Sequence, residues 1–198
     1  MSESTKTGLF GKIAPVYGLF FNFQRKSHGR ALDLADRAIG MRGYRTMLDV
    51  GCGTGALCAA WYKRGYLVTG VDQAAKMVDV ARRKTQGSGI EFLVGDVLKG
   101  LPFADDIFDV VIASYVAHGL PPEDRQKMYK EMKRVARRLV ILHDFNRVRS
   151  GLLDFIETLE GSDYPLFIEK VHDEMLSHFT RVALLDVGPR ATWYMGYI

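Results

Sequence analysis

The nine residues at positions 47–55, MLDVGCGTG, constrain the fold of this chain more than any other feature. An apolar run typical of a buried strand leads into three glycines at alternate positions, and residues 56–61 then open a helix. Glycines so placed allow backbone dihedrals that a Cβ would forbid, and they let the chain approach a ligand closely. The free N–H groups at the start of the helix favour a polar or anionic group. The segment therefore predicts a loop that holds a polar cofactor.

Acidic residues follow the next two predicted strands. Residues 66–71 read as a strand ending at Asp72, about 20 residues past the glycines, where a nucleotide-binding βαβ unit places a carboxylate on the ribose hydroxyls. An N-cap for a helix over residues 74–84 is the competing interpretation, because Asp is a favoured cap. A third strand over residues 90–94 runs into a Gly-Asp pair ending at Asp96, for which the competing interpretation is a turn residue.

The spacing of the glycines fits two kinds of cofactor loop. Gly51, Gly53 and Ala56 satisfy the G-x-G-x-x-A pattern of dinucleotide-binding enzymes. Gly55 adds a second pattern, G-x-G-x-G, with an acidic residue two positions before the first glycine. The glycines alone therefore leave the cofactor open.

The neighbouring motifs favour the second pattern. Asp49 before the loop, the Gly-Asp pair after the third strand and the segment LPFADDIFDVV at 101–111 occur in this order along the chain. Together they resemble the class I S-adenosylmethionine-dependent methyltransferases, over residues 40–145. The resemblance implies a doubly wound α/β fold, with a mostly parallel seven-stranded sheet and a C-terminal antiparallel hairpin. We expect that hairpin at residues 181–187 and 191–198, around a Gly-Pro turn.

The resemblance also implies the cofactor, S-adenosylmethionine, and the residues that hold it. In such enzymes the carboxylate after strand three accepts a hydrogen bond from the adenine amine, and the next backbone N–H serves a ring nitrogen. The expected cofactor-binding residues are Asp49, Gly51, Cys52, Gly53, Thr54, Gly55, Asp72, Gln73, Met77, Gly95, Asp96, Val97, Ser114 and Tyr115.

Two residues are candidates for the chemistry. His118 follows the fourth predicted strand, where a histidine can take a proton from a methyl acceptor; packing is the competing role. The segment FGKIAPVY at 10–17 is similar to the opening of quinone-biosynthesis-type methyltransferases, which implies that Tyr17 approaches the methyl donor; an aromatic cap on the sheet is the alternative. His143 and Asp144 end strand five, and adjacent strand residues face opposite ways, so at most one should face the site. No spacing of ligands predicts a metal site.

The organisation predicted is one domain over residues 1–198. Residues 1–39 would form a helical lid or cap, with an amphipathic helix over 27–39, and residues 151–179 a helical insertion over the site. A mostly hydrophobic acceptor cavity is expected between Tyr17, Tyr115, His118 and the turn at 164–167. The basic cluster at 133–138 is expected to end a helix, because cations there complement the helix dipole.

Composition and charge bear on the cellular compartment and on the class of substrate. The chain has 198 residues, a net charge of +4 and two cysteines, so we expect no disulfide framework and a cytoplasmic protein. No signal peptide or membrane span is visible in the sequence. The small charge argues against a nucleic-acid substrate. Nothing in the sequence sets the oligomeric state.

Three functions follow from these patterns. The first is methyl transfer from S-adenosylmethionine to a small acceptor, apolar or aromatic in character. The second is a catalytically silent S-adenosylmethionine-binding scaffold, because a fold does not guarantee activity. The third is a nicotinamide-dependent oxidoreductase, which Gly55 and Asp96 disfavour. The sequence does not decide whether oxygen, nitrogen or carbon would be methylated.

Overall fold

A computed structural model describes residues 19–41, 43–148 and 164–198. The strands in these ranges follow the order β3-β2-β1-β4-β5-β7-β6 in one sheet, which confirms the predicted mostly parallel sheet with an antiparallel C-terminal hairpin. The chain divides into two compact units, Met1–Asp96 and Val97–Ile198.

The first unit alternates strands and helices. β1 and β2 pair in parallel, and so do β2 and β3. Parallel strands bring their carboxyl ends to one edge, where ligands of open α/β sheets bind. The elements of this unit are α1 (Phe21–Ile39), β1 (Thr46–Val50), α2 (Ala56–Tyr62), β2 (Leu67–Asp72), α3 (Ala75–Lys84) and β3 (Glu91–Val94).

Helix α1 begins earlier than the apolar pattern predicted. It starts at Phe21 rather than at residue 27, because the buried ring of Phe21 adds a tertiary contact beyond the amphipathic stretch. Its apolar face packs against α2. At the polar side Arg64 donates to the carbonyl of Gly29 at 2.6 Å and pairs with Asp33.

The second unit combines parallel and antiparallel pairing. β4 and β5 are parallel, whereas β7 pairs antiparallel with both β5 and β6. Two 3-10 turns flank β4. The elements are the first turn (Val97–Lys99), β4 (Phe108–Ser114), the second turn (Ala117–Gly119), α4 (Pro122–Val135), β5 (Ala136–Phe145), α5 (Tyr164–Leu176), β6 (Arg181–Gly188) and β7 (Ala191–Tyr197).

The basic cluster does not end the helix as a whole. Helix α4 stops at Val135, and Ala136 already has an extended backbone, with φ −89° and ψ 134°. Arg137 and Arg138 therefore lie in β5, where Arg137 donates to the carbonyl of Asp106 at 3.0 Å. The long-range strand pairing overrides the local pattern at this point.

Some predictions fall partly outside the described residues. Residues 1–18 belong to the predicted lid and residues 151–163 to the predicted insertion, so both assignments stay predictions. In the parts of the chain that the structure covers, no helix combines the length and apolar character needed to cross a membrane.

Candidate functional site

The glycine loop, residues 51–55, joins β1 to α2 in the first unit. Gly51, Gly53 and Gly55 have φ angles of +73°, +52° and +79°. L-residues with a side chain rarely adopt this region, so the backbone itself requires glycine here. The N–H of Gly51 donates to the carbonyl of Val71 at 2.8 Å, which fixes the loop on the end of β2.

The glycines differ in what surrounds them. A Cβ on Gly55 would lie 3.0 Å from both the Cβ of Ala81 and the ring of Phe92, so this glycine lets α2 pack closely on α3 and β3. A Cβ on Gly53 would meet no atom of the described residues within 4 Å. The loop therefore leaves open space beside Gly53.

Asp49 is a buried carboxyl at the base of the loop, with 1% of its surface exposed. Its Oδ2 accepts a hydrogen bond from the thiol of Cys58 at 3.2 Å. Its Oδ1 has no partner among the residues that the structure describes. Burial raises the pKa of Asp49 to about 7, because water no longer stabilises the charge. Burial also raises the pKa of the Cys58 thiol, which keeps it protonated as a donor.

Asp72 ties the glycine loop to the start of α3. Its Oδ2 accepts from the N–H of Gly53 at 2.8 Å, and its Oδ1 accepts from the N–H of Ala74 at 2.8 Å. Burial raises the pKa of Asp72, and the two backbone hydrogen bonds oppose that rise. Helix α3 has Ala74 as its N-cap and no side-chain capping bond, so the capping interpretation of Asp72 was wrong; Asp72 instead bonds to the N–H of the N-cap residue. A carboxylate oxygen has two lone pairs, however, so both oxygens keep capacity for hydroxyl donors.

The remaining predicted residues of this unit have different environments. A Cβ on Gly95 would lie 2.9 Å from Val71, so the turn after β3 also requires glycine. Asp96 follows it and is half-buried. Gln73 is exposed, whereas Met77 is buried in an apolar cluster of the core.

In the second unit, His118 and Asp144 form a close pair. Nδ1 of His118 lies 2.7 Å from Oδ1 of Asp144, and the two side chains are 11% and 1% exposed. The backbone N–H of His118 also donates to Oδ2 of Asp144, at 3.3 Å. His143 instead accepts a hydrogen bond from the indole of Trp193 at 2.8 Å. His143 and Asp144 thus have different hydrogen-bond partners, although the ring centroid of His143 also lies 5.2 Å from that of Tyr115.

Aromatic rings surround this pair. The ring centroid of His118 lies 4.8 Å from that of Phe145, 6.4 Å from Tyr115 and 6.5 Å from Phe167. Tyr115 follows Ser114, the last residue of β4, and has a φ of +55°, a strained value for a residue with a side chain. Its backbone N–H donates to the carbonyl of His143 at 2.8 Å.

The phenol of Tyr115 stays protonated near neutral pH. Burial, reinforced by the charge of Asp144, raises the pKa of Tyr115 to about 12. The group can therefore donate a hydrogen bond, but it is a poor general base. Val97, also predicted to bind cofactor, begins the first 3-10 turn of this unit.

Two further predictions concern other residues. Tyr17, the second catalytic candidate, lies outside the described residues. Among the described residues, no three His, Cys, Asp or Glu side chains come together in a group able to hold a metal ion.

Comparison with known proteins supports the family that the sequence motifs resemble. Residues 48–142 match the family model described as a methyltransferase domain. This match and the curated relatives support a class I S-adenosylmethionine-dependent methyltransferase. This segment includes the glycine loop, Asp72, Asp96 and His118.

Two curated relatives of the chain have different acceptors in their names. The chain is 37% identical over 101 residues to a malonyl-[acyl-carrier protein] O-methyltransferase of Pectobacterium atrosepticum, covering 51% of this chain and 37% of the relative. It is 36% identical over 146 residues to a demethylmenaquinone methyltransferase of Thermus thermophilus, covering 68% of this chain and 63% of the relative. The chain thus spans less than two thirds of the length of either.

A solved structure supports the fold. The magnesium protoporphyrin IX methyltransferase of Synechocystis, with bound SAH, superposes with a TM-score of 0.61 at 20% identity. The match covers 88% of this chain and 83% of that chain.

The residues of the first unit fit an S-adenosylmethionine molecule. The open space beside Gly53 admits a ligand close to the backbone. The unpartnered Oδ1 of Asp49 and the spare lone pairs of Asp72 are acceptors that hydroxyl or ammonium donors would satisfy. Both observations are those expected of a loop that holds this cofactor.

Sequence reasoning did not assign a role to Asp144 or Cys58. A strand-end carboxylate after a histidine was visible, but the alternation of a strand cannot say which neighbour faces the site without its register. Cys58 lies one helical turn into α2, and nothing in its spacing shows that its thiol bonds to Asp49.

The buried carboxyl leads to a pH-dependent prediction. Because the folded protein keeps Asp49 protonated up to a pKa of about 7 whereas the ordinary value is 3.8, the unfolded state releases this proton first. The contribution of Asp49 to stability therefore falls as the pH rises from about 4 to about 7, by roughly 2–4 kcal/mol, and stays low above that. Asp49→Asn should remove this dependence.

Urea unfolding across this pH range measures the effect. We expect the free energy of unfolding of Asp49→Asn, taken relative to that of the wild type, to increase with pH up to about pH 7. Above that pH the difference between the two proteins should stay constant. The matched control is Asp79→Asn, which removes an exposed carboxylate of α3. A difference from wild type that is constant over the whole range would show that Asp49 is ionised in the folded protein.

Proposed function

We propose that this protein transfers a methyl group from S-adenosylmethionine to a small acceptor of apolar or aromatic character. The observation that carries the proposal is the glycine loop, with open space beside Gly53 and an unpartnered buried oxygen on Asp49. The match to the methyltransferase family model supports the same reaction and disfavours a nicotinamide cofactor.

Different residues of the first unit would bind different parts of the cofactor. The N–H groups of the glycine loop approach the polar part of the cofactor, Asp72 accepts from the ribose hydroxyls and Asp96 accepts from the adenine amine. Bound S-adenosylmethionine supplies an electron-poor sulfonium methyl group. The protein has to orient the acceptor in line with that group and to exclude water, and such alignment can supply much of the rate.

The aromatic cluster of the second unit supports the class of acceptor. The ring of Tyr115, which is 42% exposed, lies beside the rings of His118 and Phe145, and flat apolar molecules pack well on such surfaces. Demethylmenaquinone, named in one relative, is a molecule of this kind, whereas malonyl-acyl carrier protein, named in another, is not. The aromatic cluster therefore favours the first kind of acceptor.

A binding measurement and a transfer measurement test the proposal separately. Titration calorimetry should detect S-adenosylmethionine and S-adenosylhomocysteine, with no heat from NAD. Incubation with methyl-labelled S-adenosylmethionine and fractionated metabolite extracts should place label in apolar, low-molecular-weight fractions. Label in protein or nucleic acid would contradict the acceptor class. Binding without transfer to any fraction would favour a silent scaffold.

Removal of the ribose carboxylate gives a further prediction. Asp72→Ala should weaken S-adenosylmethionine binding roughly 10- to 150-fold, because hydrogen bonds to a charged acceptor contribute about 1.5–3 kcal/mol. Calorimetry measures the affinity, and Asp79→Ala on the exposed face of α3 is the matched control. An unchanged affinity for Asp72→Ala would refute the ribose assignment.

A further inference from the structure

Strand β6 lies at one edge of the sheet and exposes its outer backbone. It pairs with β7 on one side and, among the described residues, with no strand on the other. Every second residue of an edge strand directs its N–H and C=O groups away from the sheet, where they can pair with another chain. No side chain of the described residues bonds to the backbone of β6.

The edge strand of the first unit is different. β3 has only four residues, and Arg82 donates to the carbonyl of Phe92 in this strand at 2.7 Å. Short edge strands and covered edges are means by which proteins prevent pairing between sheets. β6 has eight residues, with neither lysine nor proline among them. Of these two strands, β6 is therefore the one that can accept a further strand.

An apolar side chain is exposed at this edge. Leu184 of β6 is 52% exposed. It pairs with Tyr194 of β7, whose ring centroid lies 6.2 Å from that of Phe167 on α5, so Leu184 is on the face of the sheet that carries α5. Because side chains of a strand alternate, Val182 lies on this face as well, whereas Ala183 lies on the other. A strand added beside β6 would cover Leu184.

A second copy of β6 matches this pattern. In an antiparallel pair, directly opposite residues lie on the same face of the sheet. If Ala183 lies opposite Ala183 of the second copy, Leu184 lies opposite Val182 of that copy, and the two-fold symmetry repeats this apolar pair. The bulge between Asp186 and Gly188 lies outside the five residues that overlap in this register.

The charges of β6 favour the antiparallel direction. Arg181 begins the strand, and Asp186 lies near its other end. The guanidinium of Arg181 lies 4.0 Å from the ring centroid of Tyr197, and Asp186 accepts a hydrogen bond from the hydroxyl of Thr192, so both charges are held close to the strand. Antiparallel copies bring the positive end of each strand to the negative end of the other, whereas parallel copies bring like charges together.

We propose that β6 is a dimerisation surface, on which the β6 strand of a second copy of this chain pairs antiparallel with Ala183 at the two-fold axis. The pairing satisfies the outer N–H and C=O groups of both strands and covers both Leu184 side chains. This inference goes beyond the proposed methyl transfer and does not depend on it, because no residue of β6 takes part in cofactor binding.

The first test measures the mass of the protein in solution. Sedimentation equilibrium of the wild type should give twice the 22.3 kDa of one chain. Leu184→Lys should raise the dissociation constant of the dimer at least about 100-fold, because charged lysines at an edge have to leave water before the strands can pair. Leu67→Lys is the matched control, since it changes a leucine that is 68% exposed at the start of β2. Circular dichroism verifies that both variants are folded.

The second test reads the register and does not require Leu184→Lys to fold. Opposite residues of antiparallel strands have Cα atoms about 4.5–5.5 Å apart, within the range of about 4.4–6.8 Å that a disulfide spans. Ala183→Cys should therefore form a covalent dimer under mild oxidation with copper phenanthroline, seen on a non-reducing gel. Cys52 and Cys58 are buried and do not compete. Leu67→Cys should stay monomeric on the gel, although its side chain is more accessible to random collisions.

Three results would overturn the proposal. They are a wild type that sediments as a single chain at all concentrations, a dimer that Leu184→Lys leaves as tight as before, and equal cross-linking of Ala183→Cys and Leu67→Cys. A dimer that Leu184→Lys dissociates and that Ala183→Cys links supports both the surface and its register.

Discussion

Gly53→Val is expected to abolish S-adenosylmethionine binding while the protein stays folded. Gly53 has a φ of +52°, and a Cβ there would enter space that the described residues leave open. The Cβ therefore meets no atom of the described residues, but it occupies the path of a ligand that approaches the backbone. We expect at least a 100-fold loss of affinity, about 2.7 kcal/mol, measured by calorimetry.

A second glycine provides a matched control. Gly87, in the turn between α3 and β3, also has a positive φ, +82°, and open space around its missing Cβ. It lies before the amino end of β3, away from the carboxyl ends of the strands. Gly87→Val should carry a similar backbone strain of about 1–2 kcal/mol but keep normal affinity. Equal affinities of the two variants would show that the cofactor does not approach Gly53.

Glu174→Gln is expected to destabilise the protein by about 3–5 kcal/mol, the typical cost of breaking a buried ion pair. Glu174 accepts two hydrogen bonds from the guanidinium of Arg125, one of them from Nε at 2.8 Å, and a third from the hydroxyl of Tyr129 at 3.1 Å. The side chains of Arg125 and Glu174 are 5% and 13% exposed. A glutamine would leave the arginine charge buried without a counter-charge and would turn an amide donor toward it.

The neighbouring residue is the control for this pair. Asp173 also lies on α5 and contacts a cation-forming group, His172, at 3.3 Å, but its side chain is 86% exposed. Asp173→Asn should change the free energy of unfolding by less than about 0.5 kcal/mol, because water screens exposed charges. Urea unfolding monitored by circular dichroism compares the two variants. If Glu174→Gln lowers the free energy of unfolding by less than about 1 kcal/mol, solvent reaches Arg125 in solution.

The sequence by itself predicted the sheet and the glycine loop, and it indicated the family. These features depend on local patterns in the sequence. Glycines must follow the apolar strand where φ is positive, and acidic residues must follow the next strands at fixed distances along the chain. The structure has positive φ at Gly51, Gly53 and Gly55 and a parallel arrangement of β1, β2 and β3. The spacing also selected His118, because its position after β4 is a property of the chain order.

Only the tertiary structure decided which partners these residues have. Whether His143 or Asp144 meets His118 depends on the face that β5 presents, which is set by its pairing with β4 and β7, far away in sequence. The bond of Cys58 to Asp49 likewise requires α2 to pack on β1, and the raised pKa of Asp49 follows from that burial. The pattern of a sequence encodes the faces of an element and its ends, whereas hydrogen bonds between elements depend on registers and burial that arise only when the elements pack together.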